Sequence, residues 1–204
     1  MENGRKKYDI IYADPPWAYK VWSEKTAGRT ASRHYGTQSL GDLACMDILS
    51  LCNPDCVLLM WATFPCLQEA FALGKAWGFR YKTVAFVWVK RNQHSHDLFV
   101  GMGYYTRANA EMVLLFTKGR PLKRVNKDVP QVLICPKGKH SQKPPEIRRR
   151  IERLFGDRPR LELFARSRDG FFPDTEYEGW DVFGNEVNHS IPVNLNQYLF
   201  TLKI

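Results

Sequence analysis

The sequence predicts an α/β fold with a doubly wound sheet, and three observations carry that prediction. Runs that are apolar at consecutive positions, Tyr8 to Ala13 and Cys56 to Ala62 among them, have the pattern of strands buried on both faces. Between such runs lie stretches with apolar residues at helical spacing, for example Leu67, Ala70, Phe71, Gly74 and Trp77. A length of 204 residues is enough for one sheet covered by helices, so one domain is the expectation.

The elements follow in order. Tyr8 to Ala13 is the first strand, and Asp14 stands at its carboxyl end. From Tyr19 to Ser39 the chain turns polar, a connection long enough to be functional and read here as a substrate loop. Ser39 is a good N-cap, and Leu40, Leu43, Ala44, Ile48 and Leu51 predict a helix running to about Cys52. Cys56 to Ala62 is the second strand, and a helix from about Pro65 stops at Gly78. Tyr81 to Val89 is the third strand, ending at Lys90-Arg91, and a second long polar loop follows. His94 and His96 in that loop have no third ligand nearby, so no metal site is predicted. Gly101-Met102-Gly103 precedes a strand instead of following one, which is the wrong order for a dinucleotide fingerprint. Glu111 to Thr117 is the fourth strand and Val132 to Cys135 a short fifth. Pro144 and Pro145 sit where a helix starts, with Ile147, Ile151 and Leu154 as its buried stripe. Arg160 to Phe164 and Trp180 to Phe183 are the last two strands of the sheet. Beyond them, Ile191, Val193 and Leu195 alternate with polar residues, as in a strand or an extended arm. The expected division is a main domain over 1–187 and a C-terminal extension over 188–204 that packs on that domain or on a partner.

Composition narrows the class. An apolar fraction of 44% and a charged fraction of 25% are ordinary for a globular protein. No apolar run reaches membrane-spanning length and the start is polar, so a cytoplasmic protein without a membrane partner is expected. The five cysteines lack paired C-x-x-C spacing and read as reduced core thiols. The formal charge of +9 points to a polyanionic partner. Basic residues gather after the midpoint, including Arg148, Arg149, Arg150 and Arg153, and are read as phosphate contacts.

Asp14-Pro15-Pro16-Trp17 is the stretch that carries chemistry. Two successive prolines make a stiff corner whose carbonyl groups stay free to accept hydrogen bonds. Asp14 and the Pro15 carbonyl could each accept one proton of an amino group on a flat ring, and Trp17 offers a face for that ring. Alone, the tetrapeptide could equally be a turn with a core tryptophan. Its companions decide: Lys143-Pro144 at a helix start, then Leu161-Glu162-Leu163-Phe164-Ala165-Arg166, then Gly184-Asn185-Glu186.

With these motifs in this order the chain resembles the methyltransferase-A-seventy family of S-adenosylmethionine-dependent adenine-N6 methyltransferases, over almost its whole length. The resemblance implies a Rossmann-like methyltransferase sheet, circularly permuted so that the catalytic motif precedes the cofactor strand. It implies that Asp14, Pro15, Pro16 and Trp17 are catalytic, and that S-adenosyl-L-methionine is held by Asp14, Lys143, Glu162, Leu163, Phe164, Arg166, Asn185 and Glu186. The chemistry of those side chains fits. Lys143 can meet the carboxylate or a ribose oxygen, Asn185 and Glu186 can bond the ribose, and Glu162 and Arg166 can hold polar groups and one another. Trp17, Tyr35, Gly36, Thr37 and Lys90 are the expected substrate contacts, Tyr35-Gly36-Thr37 resembling the family segment that lies over the target base. Asp14 favours adenine, because enzymes acting on cytosine N4 usually carry Ser there. DNA is the favoured substrate, RNA the alternative, and a homodimer is an open assembly. A catalytically silent nucleic-acid-binding subunit is the competing reading, and the intact acidic motif speaks against it.

Overall fold

A computed structural model describes residues 6–17, 38–138, 142–166, 177–184 and 187. Seven strands form one sheet: β1 (Tyr8–Ala13), β2 (Cys52–Ala62), β3 (Arg80–Arg91), β4 (Ala110–Lys118), β5 (Val132–Pro136), β6 (Arg160–Leu163) and β7 (Asp181–Phe183). Their spatial order is β5-β3-β4-β2-β1-β6-β7. Helix α1 (Leu40–Ala44) and helix α2 (Leu67–Ala76) precede and follow β2, and helix α3 (Glu146–Phe155) leads into β6. Chain order reverses around β1, which pairs in parallel with β2 on one side and β6 on the other. A reversal of this kind opens a crevice at the carboxyl ends of the strands, where α/β proteins bind ligands.

The sheet is mixed, not wholly parallel: β4 runs antiparallel to both β2 and β3. A continuous apolar run reports burial on both faces but not direction. No helix joins β3 to β4, so the chain can turn straight back. The helix expected from Leu40 to Cys52 ends at Ala44, and a 3-10 turn, Leu49–Leu51, replaces its second half. Asp47 accounts for the change by accepting the Ser50 N–H at 3.1 Å, a local bond that competes with helix continuation. β2 starts at Cys52 rather than Cys56, because Cys52 still pairs with Tyr8 while a bulge absorbs Asn53-Pro54-Asp55.

The alternation of side chains along β1 divides the core. Ile11 and Ala13 pack with Leu43 of α1 and Ala70, Leu73 and Trp77 on one face. Ile10 and Tyr12 pack with Ile147, Ile151 and Phe155 of α3 on the other. Cys52, Cys56 and Cys66 are buried as expected of core thiols, whereas Cys45 is exposed just past α1. Among the described residues no helix is long and apolar enough to cross a membrane. The 188–204 extension lies outside the described residues.

Candidate active site

The site begins where β1 ends. Its alternation sends Tyr12 toward α3, and Asp14, two residues on, keeps that side. The Asp14 N–H donates to the Leu163 carbonyl at 3.4 Å, which ties the end of β1 to the end of β6. The two prolines then turn the chain. Their carbonyls are not wholly free: Pro15 accepts the Trp17 N–H at 2.8 Å and Pro16 accepts the Gln38 N–H at 3.2 Å. Each keeps a second lone pair. Trp17 is 7% exposed, packs in the core on the α2 side and donates its indole N–H to the Trp61 carbonyl at 3.1 Å. It therefore anchors the corner, and its ring is not an open platform. Gln38, bridged to Trp17, is equally buried, and its side-chain oxygen has no partner among the described residues.

Charge accumulates beside this corner. Lys143 Nζ lies 2.9 Å from Asp14 Oδ2 and 3.4 Å from Glu111 Oε2, and Glu111 Oε1 is ion-paired with Lys90. The row runs Asp14, Lys143, Glu111, Lys90 across the rim of β1, β4 and β3. All four side chains are no more than 20% exposed. Two indoles floor it, Lys143 lying 5.4 Å above the Trp61 ring and Lys90 4.9 Å above Trp88. Burial alone would push the Glu111 carboxyl up, but Lys143 and Lys90 outweigh it and hold the group below its ordinary value. Glu111 escaped the sequence reading, although an acid opening an otherwise apolar strand was its signal. A cleft of about 780 Å³ adjoins the row, lined by Trp88, Lys90, Phe99, Glu111, Lys137 and Lys143 among others. That volume suits a small ligand or a nucleotide.

The other half of the rim is the end of β6. Glu162, opposite Tyr12 in register, is buried and grips Arg148 of α3 through two bonds, of 2.5 and 2.7 Å. Arg148 also lies over the Tyr177 ring at 4.5 Å. Burial works against the Arg148 charge, but the bonds to Glu162 raise its affinity for the proton further. The Tyr177 hydroxyl accepts the Arg166 N–H at 3.2 Å and donates to the Arg166 carbonyl at 2.7 Å. Arg148 is therefore a structural partner of Glu162, and the reading of Arg148 to Arg150 as one phosphate-binding run is corrected. Arg150 is buried too, donating to the carbonyls of Pro130 and Val132, and only Arg149 of the three points outward.

Leu163 is fully buried, and Phe164 follows with φ of 63°, a left-handed conformation that a bulky residue adopts only under constraint. The constraint is visible. Ala165 donates to the Phe183 carbonyl at 3.0 Å, and a Cβ added to Gly184 would lie 2.0 Å from the Ala165 carbonyl oxygen. The chain leaving β6 is thus pressed against the chain leaving β7, at a point only glycine allows. Tyr35, Gly36 and Thr37, like Asn185 and Glu186, lie outside the described residues.

The MT-A70 family profile matches residues 8–186. A type II methyltransferase, M.MunI, from Mycoplasma sp is 37% identical over 90% of this chain and 79% of its own length. The human N(6)-adenosine-methyltransferase catalytic subunit METTL3 is 26% identical over 89% of this chain, which spans 28% of that protein. A rice protein, a probable N(6)-adenosine-methyltransferase MT-A70-like, is 26% identical over 89% of this chain and 23% of its own length. With nearly its whole length matched, the chain belongs to the MT-A70 family.

Proposed function

We propose that this protein is an adenine-N6 methyltransferase acting on DNA, with S-adenosylmethionine as methyl donor. The observation that carries the reading is Asp14: a carboxylate at the end of a central strand, followed by a pinned Pro-Pro corner and oriented by Lys143. The amino group of adenine is a poor nucleophile because its lone pair is delocalised into the ring. Asp14 and the remaining lone pair of the Pro15 carbonyl would accept its two protons, draw the nitrogen toward tetrahedral geometry and aim its lone pair. Such positioning and electrostatic preorganisation supply most of the rate. Asp14 accepts the proton released as the new bond to nitrogen forms. Lys143 takes Oδ2 of Asp14, which leaves Oδ1 to face the amine.

S-adenosylmethionine supplies an electrophilic methyl group on a sulfonium. The strand ends fit such a molecule: a cation at Lys143 and the close approach of Ala165 and Gly184, which keeps side chains out of the way. Leu163, Phe164, Arg166, Asn185 and Glu186 are proposed to hold it on the β6–β7 side. Glu162 supports them through Arg148. The cleft toward β3 and β4, with Lys90, is proposed to admit the base, and Tyr35, Gly36 and Thr37 to close over it, while Trp17 holds the corner from the core.

DNA is favoured because the resemblance is stronger to the type II methyltransferase than to the N(6)-adenosine-methyltransferases, 37% against 26% identity. The decisive experiment is to express the chain in cells free of endogenous adenine methylation and measure N6-methyladenine by mass spectrometry in DNA and RNA separately. Enrichment in DNA is expected. Enrichment in RNA alone would select the RNA reading, and none in either, with no binding of S-adenosylmethionine, would mark a silent subunit.

A further inference from the structure

The excursion between β3 and β4 is not used by the chemistry above, although both of its stems border the site. Leaving β3 it lines the cleft with Asn92 to Ser95 and with Phe99, and it returns at Glu111. Between the stems its tip carries large apolar side chains outward: Val100 is 65% exposed, Met102 57%, Tyr104 53% and Tyr105 99%. The hydrophobic effect favours covering such groups, so a cluster of them at the tip of a loop whose stem lines a cleft marks a contact surface.

The tip is braced. Phe99 donates to the Lys90 carbonyl at 2.8 Å, Lys90 donates to the Asn109 carbonyl at 2.8 Å, and Gly101 donates to the Ala108 carbonyl at 2.9 Å, so the stems are closed on each other. At Gly103 a Cβ would stand 2.0 Å from the Thr106 carbonyl oxygen, which identifies a turn too tight for a side chain. Tyr105 is thus presented by a rigid backbone, and little conformational entropy is lost when a partner meets it.

The charge of the surroundings selects the partner. From Asn92 to Asn109 the chain carries one acidic residue, Asp97, while Arg107 is exposed at the tip, Arg91 stands at the stem and Lys137 lies 4.0 Å over the Phe99 ring. Aromatic rings set among cations, on a protein of net charge +9, match a nucleic-acid strand: phosphates for the cations and base faces for the rings.

We propose that Tyr105 is a stacking contact for a base of the DNA strand next to the adenine that enters the cleft, with Arg107 on the adjoining phosphate. The proposal rests on the DNA methyltransferase reading. Taking an adenine out of a duplex leaves its neighbours without a stacking partner, and an exposed ring at the tip of a loop whose stem lines the cleft supplies one.

The test measures binding apart from turnover. A fluorescein-labelled duplex is titrated with wild type, Tyr105→Ala and Tyr105→Trp without cofactor, and S-adenosylmethionine binding is followed by calorimetry. Tyr105→Ala should weaken duplex binding roughly tenfold or more, Tyr105→Trp should restore it, and cofactor affinity and melting temperature should stay at the wild-type values. A 5-iodouracil next to the target adenine should photo-crosslink to the peptide carrying Tyr105. Unchanged duplex affinity in Tyr105→Ala with no crosslink would overturn the proposal, as would a change confined to self-association or to RNA binding. Failure of the methyltransferase reading shows separately, as wild-type protein that binds the duplex and forms no N6-methyladenine.

Discussion

Lys143 and Asp14, 129 positions apart in the sequence, meet as an ion pair of 2.9 Å between Nζ and Oδ2, with both side chains less than one-fifth exposed. The pair joins the end of β1 to the segment that opens α3, and Glu111 on β4 shares the same ammonium at 3.4 Å. Three distant stretches thus converge on one ammonium, which fixes the Asp14 carboxylate before any substrate arrives. Preorganisation of this kind lowers a barrier without cost at the moment of reaction.

Asp14→Asn keeps the shape and exchanges an acceptor for an amide that points a donor at the amine. Methyl transfer in a single turnover should fall by about 10²–10³-fold, the usual cost of one preorganised polar contact to the reacting atoms. The melting temperature should stay within a few degrees of wild type. Near-normal turnover by a folded variant would remove Asp14 from the chemistry.

Glu111→Gln tests the charge row and predicts a pH dependence. The carboxyl is held below its ordinary value of 4.5 in the folded protein, so its contribution to stability is complete above that value. It is lost as pH falls from there through the lower folded value. Urea unfolding should show wild type more stable than Glu111→Gln at pH 7, by about 1–3 kcal/mol for a mostly buried charged contact, with the gap closing in acid. A gap that is constant with pH would mean that Glu111 contributes through packing.

The run Arg148-Arg149-Arg150 separates into two kinds of residue. Arg148→Ala leaves the buried Glu162 carboxylate without its two bonds, and about 3–5 kcal/mol of stability should be lost. Arg149, largely exposed, should cost less than about 0.5 kcal/mol when changed to Ala. If it meets a phosphate, its loss lowers the slope of log binding constant against log salt by about one. Equal effects of the two substitutions on melting temperature would contradict the division.

The long strands were legible as apolar runs, and the rim was legible because Asp14 follows such a run and Glu162 lies in a short strand flanked by Leu161 and Leu163. Partners reached through space were not. Nothing local to Glu162 announces Arg148, which sits just past a helix start in a run that reads as phosphate contacts. A buried acid on a strand nonetheless requires a cation, and the helix that packs on that strand was the place to seek it. Trp17 shows the same limit. Its ring could have faced a ligand or the core, and the Trp61 carbonyl, 44 positions on, decided for the core. The direction of β4 was hidden because an apolar run looks the same read either way.

The last prediction concerns the contact between the chains leaving β6 and β7. Gly184 has no room for a methyl group, since its Cβ would stand 2.0 Å from the Ala165 oxygen and 2.6 Å from the Ala165 nitrogen, both backbone atoms that no rotamer change can move. Gly184→Ala must therefore push the Phe164 to Arg166 turn away from β7, and overpacking of this kind costs about 1–3 kcal/mol. Asn185 and Glu186 follow directly, and the proposed cofactor contacts lie on both sides of the displaced turn. S-adenosylmethionine affinity should fall about tenfold or more by calorimetry, while duplex binding without cofactor changes little. Gly41→Ala is the internal control, because its nearest neighbour would be Ser39 Oγ at an ordinary 3.6 Å and the helix gains a better former. That variant should bind cofactor like wild type and unfold no earlier. If Gly184→Ala retained wild-type cofactor affinity despite a lowered melting temperature, the β6–β7 contact would be structural only, and the cofactor would have to be sought elsewhere along the rim.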